Sequence, residues 1–232
     1  MPDLNFRVTG VESSVRNIAP VLQFKLRINN SPADETIQAV LLNAQIQIQC
    51  PQRNYSPAEK ANLVELFGPP EMWGQTLRNR PFATANTTVN TFRGSAEAVL
   101  PVPCTFDLNV ASARYFNGLE DGDVPLLFLF SGSVFYSNSD GRLQVAPISW
   151  NSECAWRMPL LEWRTLMDRH FPNTAWLSLR RDIFDQLCAY KRRHSIITWE
   201  QTIERLLQSD EHLDDFNPQS AIATPQSEGV LA

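Results

Sequence analysis

The feature that most constrains the fold is a long apolar segment in the middle of the chain, residues 125–136. The segment is apolar on both faces up to Phe130 and then alternates between apolar and polar residues. Turn residues follow from Asn138 to Gly141, and residues 142–148 resume a strand pattern. This arrangement predicts a β-hairpin. Because its first strand is apolar on both faces, we expect that strand in the middle of a sheet covered on both sides.

Two earlier segments, residues 22–28 and residues 44–50, alternate with a period of two. Apolar residues occupy every second position, and the positions between them in the second segment are mostly glutamines. This period is typical of strands with one face in a core and the other in water. Short β-branched and apolar residues predict two further strands within residues 87–106.

The apolar period changes to about 3.6 residues in the last third of the chain, which predicts helices. Three amphipathic stripes follow one another over residues 160–171, 183–190 and 199–207. Thr198 begins a capping box at the third stripe, and Ser56 begins another near the middle of the chain. Three amphipathic helices need an apolar surface to cover, and the predicted sheet needs a cover for its second face.

We therefore predict an α+β protein with three parts. Residues 1–155 form a largely antiparallel β-sandwich or curved sheet, and residues 156–208 form a three-helix C-terminal segment packed on that sheet. Residues 209–232 carry five acidic residues and no lysine or arginine. Such a segment is too polar to offset the entropy of ordering, so we predict a disordered acidic tail.

Composition and charge argue against several classes of function. The net charge is −5, and the acidic tail accounts for all of it, which leaves 20 basic against 20 acidic residues in the rest of the chain. A neutral body offers no broad basic surface, so we expect no nucleic-acid partner. The longest apolar run, residues 124–130, is far shorter than the roughly 20 residues that span a bilayer, so we expect no membrane span.

The beginning of the chain and its cysteines favour a cytoplasmic protein with reduced thiols. The first residues have neither the basic region nor the apolar region of a secretory signal. The four cysteines, at positions 50, 104, 154 and 188, form no Cys-x-x-Cys pair. This spacing predicts no metal site, and nothing else in the sequence predicts a cofactor.

Reactive residues in suggestive positions are better explained by packing and solvation. Cys154 and His170 could form a thiol–imidazole pair, but no glycine-rich turn flanks the cysteine and His170 lies on an apolar helical stripe. Asp168 and His170 are two residues apart, a spacing that places them on different helical faces and disfavours a metal.

The basic residues near the second stripe could grip phosphates, but they are mixed with acidic residues. Arg181 and Asp185 have i, i+4 spacing, and residues 191–193 suit the C-terminal end of a helix. We interpret this segment as a solvated face with internal ion pairs.

Three of the six tryptophans are candidate site residues. Trp163 and Trp199 fall on helical stripes and are most simply core residues. Trp73, Trp150 and Trp156 have no assigned face, and indoles are common at interfaces and ligand sites. If two of them are exposed together, they mark a partner-binding or ligand patch.

With these residues in view, the chain resembles a bacterial family of about this length that is known only as a domain of unknown function. The segments that carry the resemblance are residues 55–59, 66–68 with Trp73, 100–104, 124–136, 140–147, 171–173 and 176–191. The resemblance implies a small accessory protein encoded beside uptake nickel–iron hydrogenases, and it implies no active-site residues. Since the chain has no paired cysteines or histidine-rich tract, such a role would be scaffolding or chaperoning.

The sequence thus favours a non-catalytic binding, assembly or accessory protein with a protein partner, and it does not favour an enzyme. Two alternatives stay open. One is an enzyme whose site assembles from residues distant in sequence, for example Asp107, Tyr115 or Arg157. The other is a small-ligand carrier with a tryptophan-lined pocket.

Overall fold

The structure is a computed structural model that describes residues 2–13, 18–104, 110–138, 141–174, 177 and 179–214. The chain divides into two compact units, Met1–Thr174 and Ala175–Ala232.

The first unit contains two antiparallel sheets built from the described strands. The strands are β1 (Asp3–Ser13), β2 (Val21–Ser31), β3 (Thr36–Ile48), β4 (Arg80–Val89), β5 (Phe92–Arg93), β6 (Ser95–Pro103), β7 (Asp123–Ser137), β8 (Leu143–Pro147) and β9 (Glu153–Pro159). One sheet has three strands in the order β1-β2-β6. The other has six, in the order β4-β3-β7-β8, with β5 also paired to β3 and β9 also paired to β7.

The two sheets face each other across one apolar core, which confirms the predicted α+β class with largely antiparallel sheets. Phe6 of β1 stacks on Phe130 of β7 with ring centroids 4.6 Å apart. Phe24 of β2 meets Phe128 of β7 edge to face at 5.1 Å. Alternate side chains of both sheets point into this core because successive residues of a strand face opposite ways.

The predicted hairpin is formed by β7 and β8, and β7 lies inside the larger sheet. β3 pairs with one edge of β7, while β8 and β9 pair with successive parts of its other edge. Leu126, Phe128 and Phe130 are buried on the core side. Leu127 and Leu129, which point the other way, keep part of their surface in solvent.

Five short helices gather at the end of the sandwich where β3 ends and β7 begins. They are α1 (Pro57–Asn62), α2 (Val64–Phe67), α3 (Trp73–Thr76), α4 (Val110–Gly118) and α5 (Leu160–His170). The predicted capping box is present at α1, where Ser56 accepts from the Glu59 amide and the Glu59 carboxylate accepts from the Ser56 amide. α5 contacts β1, β2 and β9, so the first predicted C-terminal helix packs on the sandwich.

The second unit contains two described helices, α6 (Arg181–Arg193) and α7 (Trp199–Asp214). The predicted end of the last helix near residue 208 is too early, because helical backbone continues to Asp214. Residues 215–232, most of the predicted acidic tail, lie outside the described residues. The packing of α6 and α7 on the sheet stays a prediction.

The boundary predicted at residue 155 falls inside β9, and the structure divides the chain after Thr174 instead. Residues 153–159 continue the sheet because they pair with β7, a contact with a distant part of the chain. No helix in the described part of the chain is both long and apolar enough to cross a membrane.

Gly132 gives a direct test of the β3–β7 pairing. It lies opposite Leu42 with a φ of 133°, and a Cβ built on it would lie 1.9 Å from the Leu41 carbonyl oxygen. Gly132→Ala should therefore lower the free energy of unfolding by roughly 3 kcal/mol or more, through backbone strain and displacement of β3. Urea unfolding measures the change. Gly10→Ala is the control, because its nearest contact would be an ordinary 4.0 Å from Lys25 Cδ; equal losses in the two variants would contradict this packing.

Candidate partner-binding surface

The face of the six-stranded sheet that points away from the three-stranded sheet is here named the outer face. Strand register fixes which residues share it. Ala39 of β3 lies opposite Phe135 of β7, and Phe135 lies opposite Val145 of β8. One step along, Leu41 lies opposite Ser133, and Leu143 lies opposite Ser137. Side chains that are opposite or diagonal across strands are in reach of one another.

Five of these residues form a contiguous apolar group near the start of β3 and the end of β7, at the opposite end of these strands from α1 and α2. The group, named the outer-face patch, consists of Ala39, Leu41, Phe135, Leu143 and Val145. Leu41, Leu143 and Val145 are between 50% and 61% exposed. Single exposed apolar residues are ordinary on a protein surface, but an exposed cluster of large ones across three strands is typical of an interaction site.

The rest of the outer face is polar but carries little charge. The outward positions of β3 from residue 39 to 47 and of β7 from residue 127 to 137 contain no Asp, Glu, Lys or Arg. Asn43 lies opposite Ser131, and Gln45 lies opposite Leu129. A neutral surface offers a partner hydrogen bonds and apolar contact without the cost of removing water from a charge.

The structure separates the three tryptophans that the sequence singled out. Trp73 is buried, and its indole Nε1 donates to the Gly68 carbonyl at 2.8 Å. Trp156 points toward the three-stranded sheet, where it is partly buried and meets Phe24 at 5.9 Å. Trp150 is 95% exposed in the turn between β8 and β9. Of the three, only Trp150 presents most of its side chain to solvent.

A buried ion pair links the segment after β3 to α1 and to residues 120–123 at the helical end of the sandwich. Arg53 Nη2 lies 2.7 Å from Glu59 Oε1, and both side chains are almost fully buried. Glu59 also accepts from the amides of Ser56 and Glu120, at 3.0 and 2.9 Å. Arg53 donates in addition to the carbonyls of Asp121 and Asp123. Burial alone would raise the pKa of Glu59, but these hydrogen bonds and the Arg53 charge outweigh it and lower the pKa.

Beside this ion pair, a thiol and two phenols are held in their neutral forms. Tyr55 Oη donates to the Cys50 carbonyl at 2.8 Å, and the Tyr55 and Tyr115 hydroxyls are 2.8 Å apart. Burial raises the pKa of both tyrosines and raises the pKa of Cys50 to about 11. Burial also raises the pKa of Cys104, to about 12. None of these groups ionises readily near neutral pH, so none is activated as a nucleophile.

The residues considered for an assembled enzyme site do not share a described cleft. Tyr115 is fully buried, Arg157 is on the outer face of β9, and Asp107 lies outside the described residues. Cys154 Sγ accepts weakly from the Val8 amide, and no hydrogen bond between described residues links it to His170. In the described part of the chain, no group of three His, Cys, Asp or Glu residues is arranged to hold a metal ion.

A shallow groove of about 260 Å³ lies between the α1–α2 segment and α4. Its lining consists of Asn62, Glu65, Leu66, Arg114, Asn117 and Gly118. Glu65 and Arg114 form an exposed ion pair at 3.3 Å. The groove is open and small for a ligand site, and it contains none of the tryptophans that the ligand-carrier alternative invokes.

Sequence reasoning did not single out the residues of the outer-face patch. Val145 and Leu143 stand in the predicted second strand of the hairpin, and their apolar character is visible in the sequence. Whether they face the core or the solvent depends on register, since a shift of one residue exchanges the two faces. The patch therefore becomes recognisable only when the pairing of β3, β7 and β8 is known.

Comparisons with known proteins identify a family but no activity. Residues 1–215 match the model of a family described as "Family of unknown function (DUF6084)". No curated protein matches the chain. Among solved structures, the chain is similar to a late embryogenesis abundant (LEA) protein determined in solution, with 14% identity, a TM-score of 0.30, and coverage of 70% of this chain and 74% of that one.

A second similar structure is the ApaA protein from Bordetella pertussis, with 10% identity and a TM-score of 0.21 over 68% of this chain and 91% of that one. TM-scores this low describe a distant likeness, and nothing about either protein is carried over to this chain.

The buried Arg53–Glu59 pair predicts a pH-dependent stability. Glu59→Gln should lower the free energy of unfolding at pH 7 by roughly 3 kcal/mol, because it leaves the Arg53 charge buried without its counter-ion. The lowered pKa of Glu59 means that its carboxylate stabilises the fold above the ordinary pKa of about 4.5, and that this contribution disappears as the pH falls through the folded-state pKa. The gap between wild type and variant should therefore narrow below about pH 4.

Urea unfolding at pH 7 and at lower pH measures that gap. Glu65→Gln is the matched control, since Glu65 pairs with Arg114 at the exposed surface and should change stability by less than about 1 kcal/mol. If the difference in the free energy of unfolding between wild type and Glu59→Gln stays constant across this pH range, the stabilising role of the Glu59 carboxylate is wrong.

Proposed function

Because the chain belongs to the family of unknown function DUF6084, its role has to be inferred from its own side chains, and we propose that it is a non-catalytic binding or assembly protein. The observation that carries this proposal is the outer-face patch, an exposed apolar group on an uncharged part of a rigid sheet. A sheet holds such side chains in fixed positions, so little conformational entropy is lost when a partner covers them.

The proposed partner is a protein with a complementary apolar, uncharged surface. Burying the exposed parts of Leu41, Leu143 and Val145 removes apolar area from water, which is the main favourable term in association. The surrounding Asn43 and Gln45 side chains can form a polar rim around this centre. The outward positions of β3 and β7 around the patch carry no charged side chain that could pair with a nucleic acid.

The state of the buried reactive groups supports a binding role over a catalytic one. Cys50, Tyr55 and Tyr115 are packed into the core with raised pKa values, and Glu59 and Arg53 neutralise each other. These groups hold the segment after β3 against α1 and α4. Their role is structural, and we place the function at the outer-face patch instead.

The narrower part of the proposal concerns the identity of the partner. The family resemblance implies an accessory protein encoded beside uptake nickel–iron hydrogenases. We therefore propose a hydrogenase polypeptide or one of its maturation proteins as the first partner to test. In that setting the chain would act as a scaffold or chaperone that holds a partly assembled apolar surface.

Val145→Glu tests the binding role, with full-length tagged protein incubated in lysate of the native host. Wild type should retain a partner that buries the patch. Val145→Glu should retain at least about tenfold less of that partner, because the variant replaces an apolar contact with a charge that must lose its water. Quantitative mass spectrometry of the retained polypeptides provides the measurement.

Val99→Glu is the matched control. Val99 is also a half-exposed valine in a strand, 45% exposed, but it lies on β6 of the other sheet. The control should keep the partner, and thermal unfolding should show both variants folded. If no polypeptide distinguishes Val145→Glu from Val99→Glu, the binding role of the outer face is wrong. If a distinguishing partner is found that is unrelated to hydrogenases, only the narrower identity is wrong.

A further inference from the structure

β8 is an edge strand, and its side away from β7 pairs with no other described strand. It stands last in the strand order β4-β3-β7-β8. The other edges lie against strands of the opposite sheet, since β4 and β5 contact β6 and β9 contacts β1. Among the described strands of the first unit, β8 is therefore the edge at which a sheet can still be extended. Strand pairing within the first unit alone defines this free edge.

Hydrogen bonds with β7 show which backbone groups of β8 point to the free edge. The Ile148 amide donates to the Gly132 carbonyl at 3.0 Å, and the bond that closes the turn between β7 and β8 has the same phase. In an antiparallel pair, only every second residue is hydrogen bonded to the neighbouring strand. The amides of Leu143 and Val145 therefore point to the free edge, as do the carbonyls of these two residues and of Pro147.

The free edge of β8 has few of the features that keep an edge strand from pairing. Natural edge strands commonly carry charged side chains or are covered by another part of the protein. β8 has the sequence Leu-Gln-Val-Ala-Pro, without a charge, and only Pro147 lacks an amide hydrogen. Leu143 and Val145, which belong to the outer-face patch, are 61% and 59% exposed beside this edge.

Trp150 lies in a loop that leaves the sheet at the same edge of β7. The pairing of β8 with β7 ends at Gly132, and pairing resumes where the Phe130 amide donates to the Ser152 carbonyl at 2.8 Å. Residues 149–151 are thus an insertion between β8 and β9, which follow each other along this edge. Trp150 is 95% exposed in the loop. An exposed indole next to an unpaired strand is a second feature typical of an interface.

We infer that the free edge of β8 binds an extended segment of a partner protein, which adds one more strand to the six-stranded sheet. In this mode of recognition, main-chain hydrogen bonds provide affinity and alternate side chains provide selectivity. A helix cannot take this place, because its backbone N–H and C=O groups are already paired within the helix. The inference rests on the proposed function and deepens it, since the added strand extends the outer-face patch.

The side chains of β8 indicate which sequences fit beside it. Alternate side chains of the added strand lie on the outer face beside Leu143 and Val145, about 5 Å away from them. Since these neighbours are apolar, we expect β-branched, aliphatic or aromatic residues there. The side chains between them point to the other face of the sheet, next to Gln144 and Ala146. The partner segment therefore has about five residues, the length of β8, with uncharged apolar residues at alternate positions.

A phage-displayed library of random peptides of about 12 residues tests the inference, with full-length wild type as the immobilised protein. Bound peptides should be enriched in apolar residues at alternate positions. Val145→Pro should bind the most enriched peptide at least about tenfold more weakly than Val145→Ala, because only proline removes the free amide and blocks the edge. Fluorescence anisotropy of the labelled peptide measures both affinities. Proline is compatible with an edge strand whose amide faces solvent, and thermal unfolding should show both variants folded.

Hydrogen exchange of full-length wild type, followed by NMR, gives a readout that needs no variant. In the free protein, the amides of Leu143 and Val145 should exchange faster than those of Gln144 and Ala146, because only the second pair is bonded to β7. A saturating concentration of the enriched peptide should slow exchange at Leu143 and Val145 at least about tenfold.

Several results would overturn strand addition. They are a library that yields no enriched peptide, enriched peptides without alternation, equal binding by Val145→Pro and Val145→Ala, and unchanged exchange at Leu143 and Val145 with peptide bound. A wild type that forms a dimer which Val145→Pro abolishes also overturns it, because the edge then pairs with a second copy. The proposed binding role survives these results if Val145→Glu still loses a partner that Val99→Glu keeps, since that partner contacts the patch through side chains alone.

Discussion

The packing of two phenylalanines from the smaller sheet on two phenylalanines of β7 is the contact on which the sandwich depends. Phe6 and Phe24 reach across the core to Phe130 and Phe128, and the last two are themselves neighbours at 6.2 Å. An apolar–polar alternation cannot set the register of β7, because Leu127 and Leu129, on the face opposite Phe128 and Phe130, are apolar as well. Gly132 supplies the missing information, since only a residue without a side chain fits against the Leu41 carbonyl.

That register determines the surface as well as the core. With Gly132 opposite Leu42, Phe135 lies directly opposite Ala39 and Val145, and Leu41 lies diagonally across from Phe135. The outer-face patch is thus the outward consequence of the pairing that places Phe128 and Phe130 inward. A change that shifts β7 by one residue would alter both, which ties the candidate binding surface to the stability of the core.

Elements defined by local pattern are predictable from the sequence. The β7–β8 hairpin, the alternating strands β2 and β3 and the capping box at Ser56 each depend on residues within a few positions of one another, and the structure contains all of them. Elements that depend on distant pairing are harder. The alternation of Cys154, Trp156 and Met158 is visible, but β9 is a strand because it extends the edge of β7.

The candidate site shows the same division. The sequence assigns Trp73 to no face of a strand or helix, and the turn after Gly68 carries it into the core, where its indole donates to a carbonyl. The sequence does not predict whether Tyr115 lies in a helix, because residues 111–119 suit both a helix and a loop. The helix α4 forms there with Phe116 packed on Trp163 of α5. Local sequence therefore indicates which residues are apolar or reactive, while long-range packing decides which of them reach the surface.

The outer-face patch is held by a sheet that is already buried on its other side, so its geometry exists before a partner arrives. Little conformational entropy is therefore lost when a partner covers Leu41, Leu143 and Val145, and the apolar area removed from water is left to favour association.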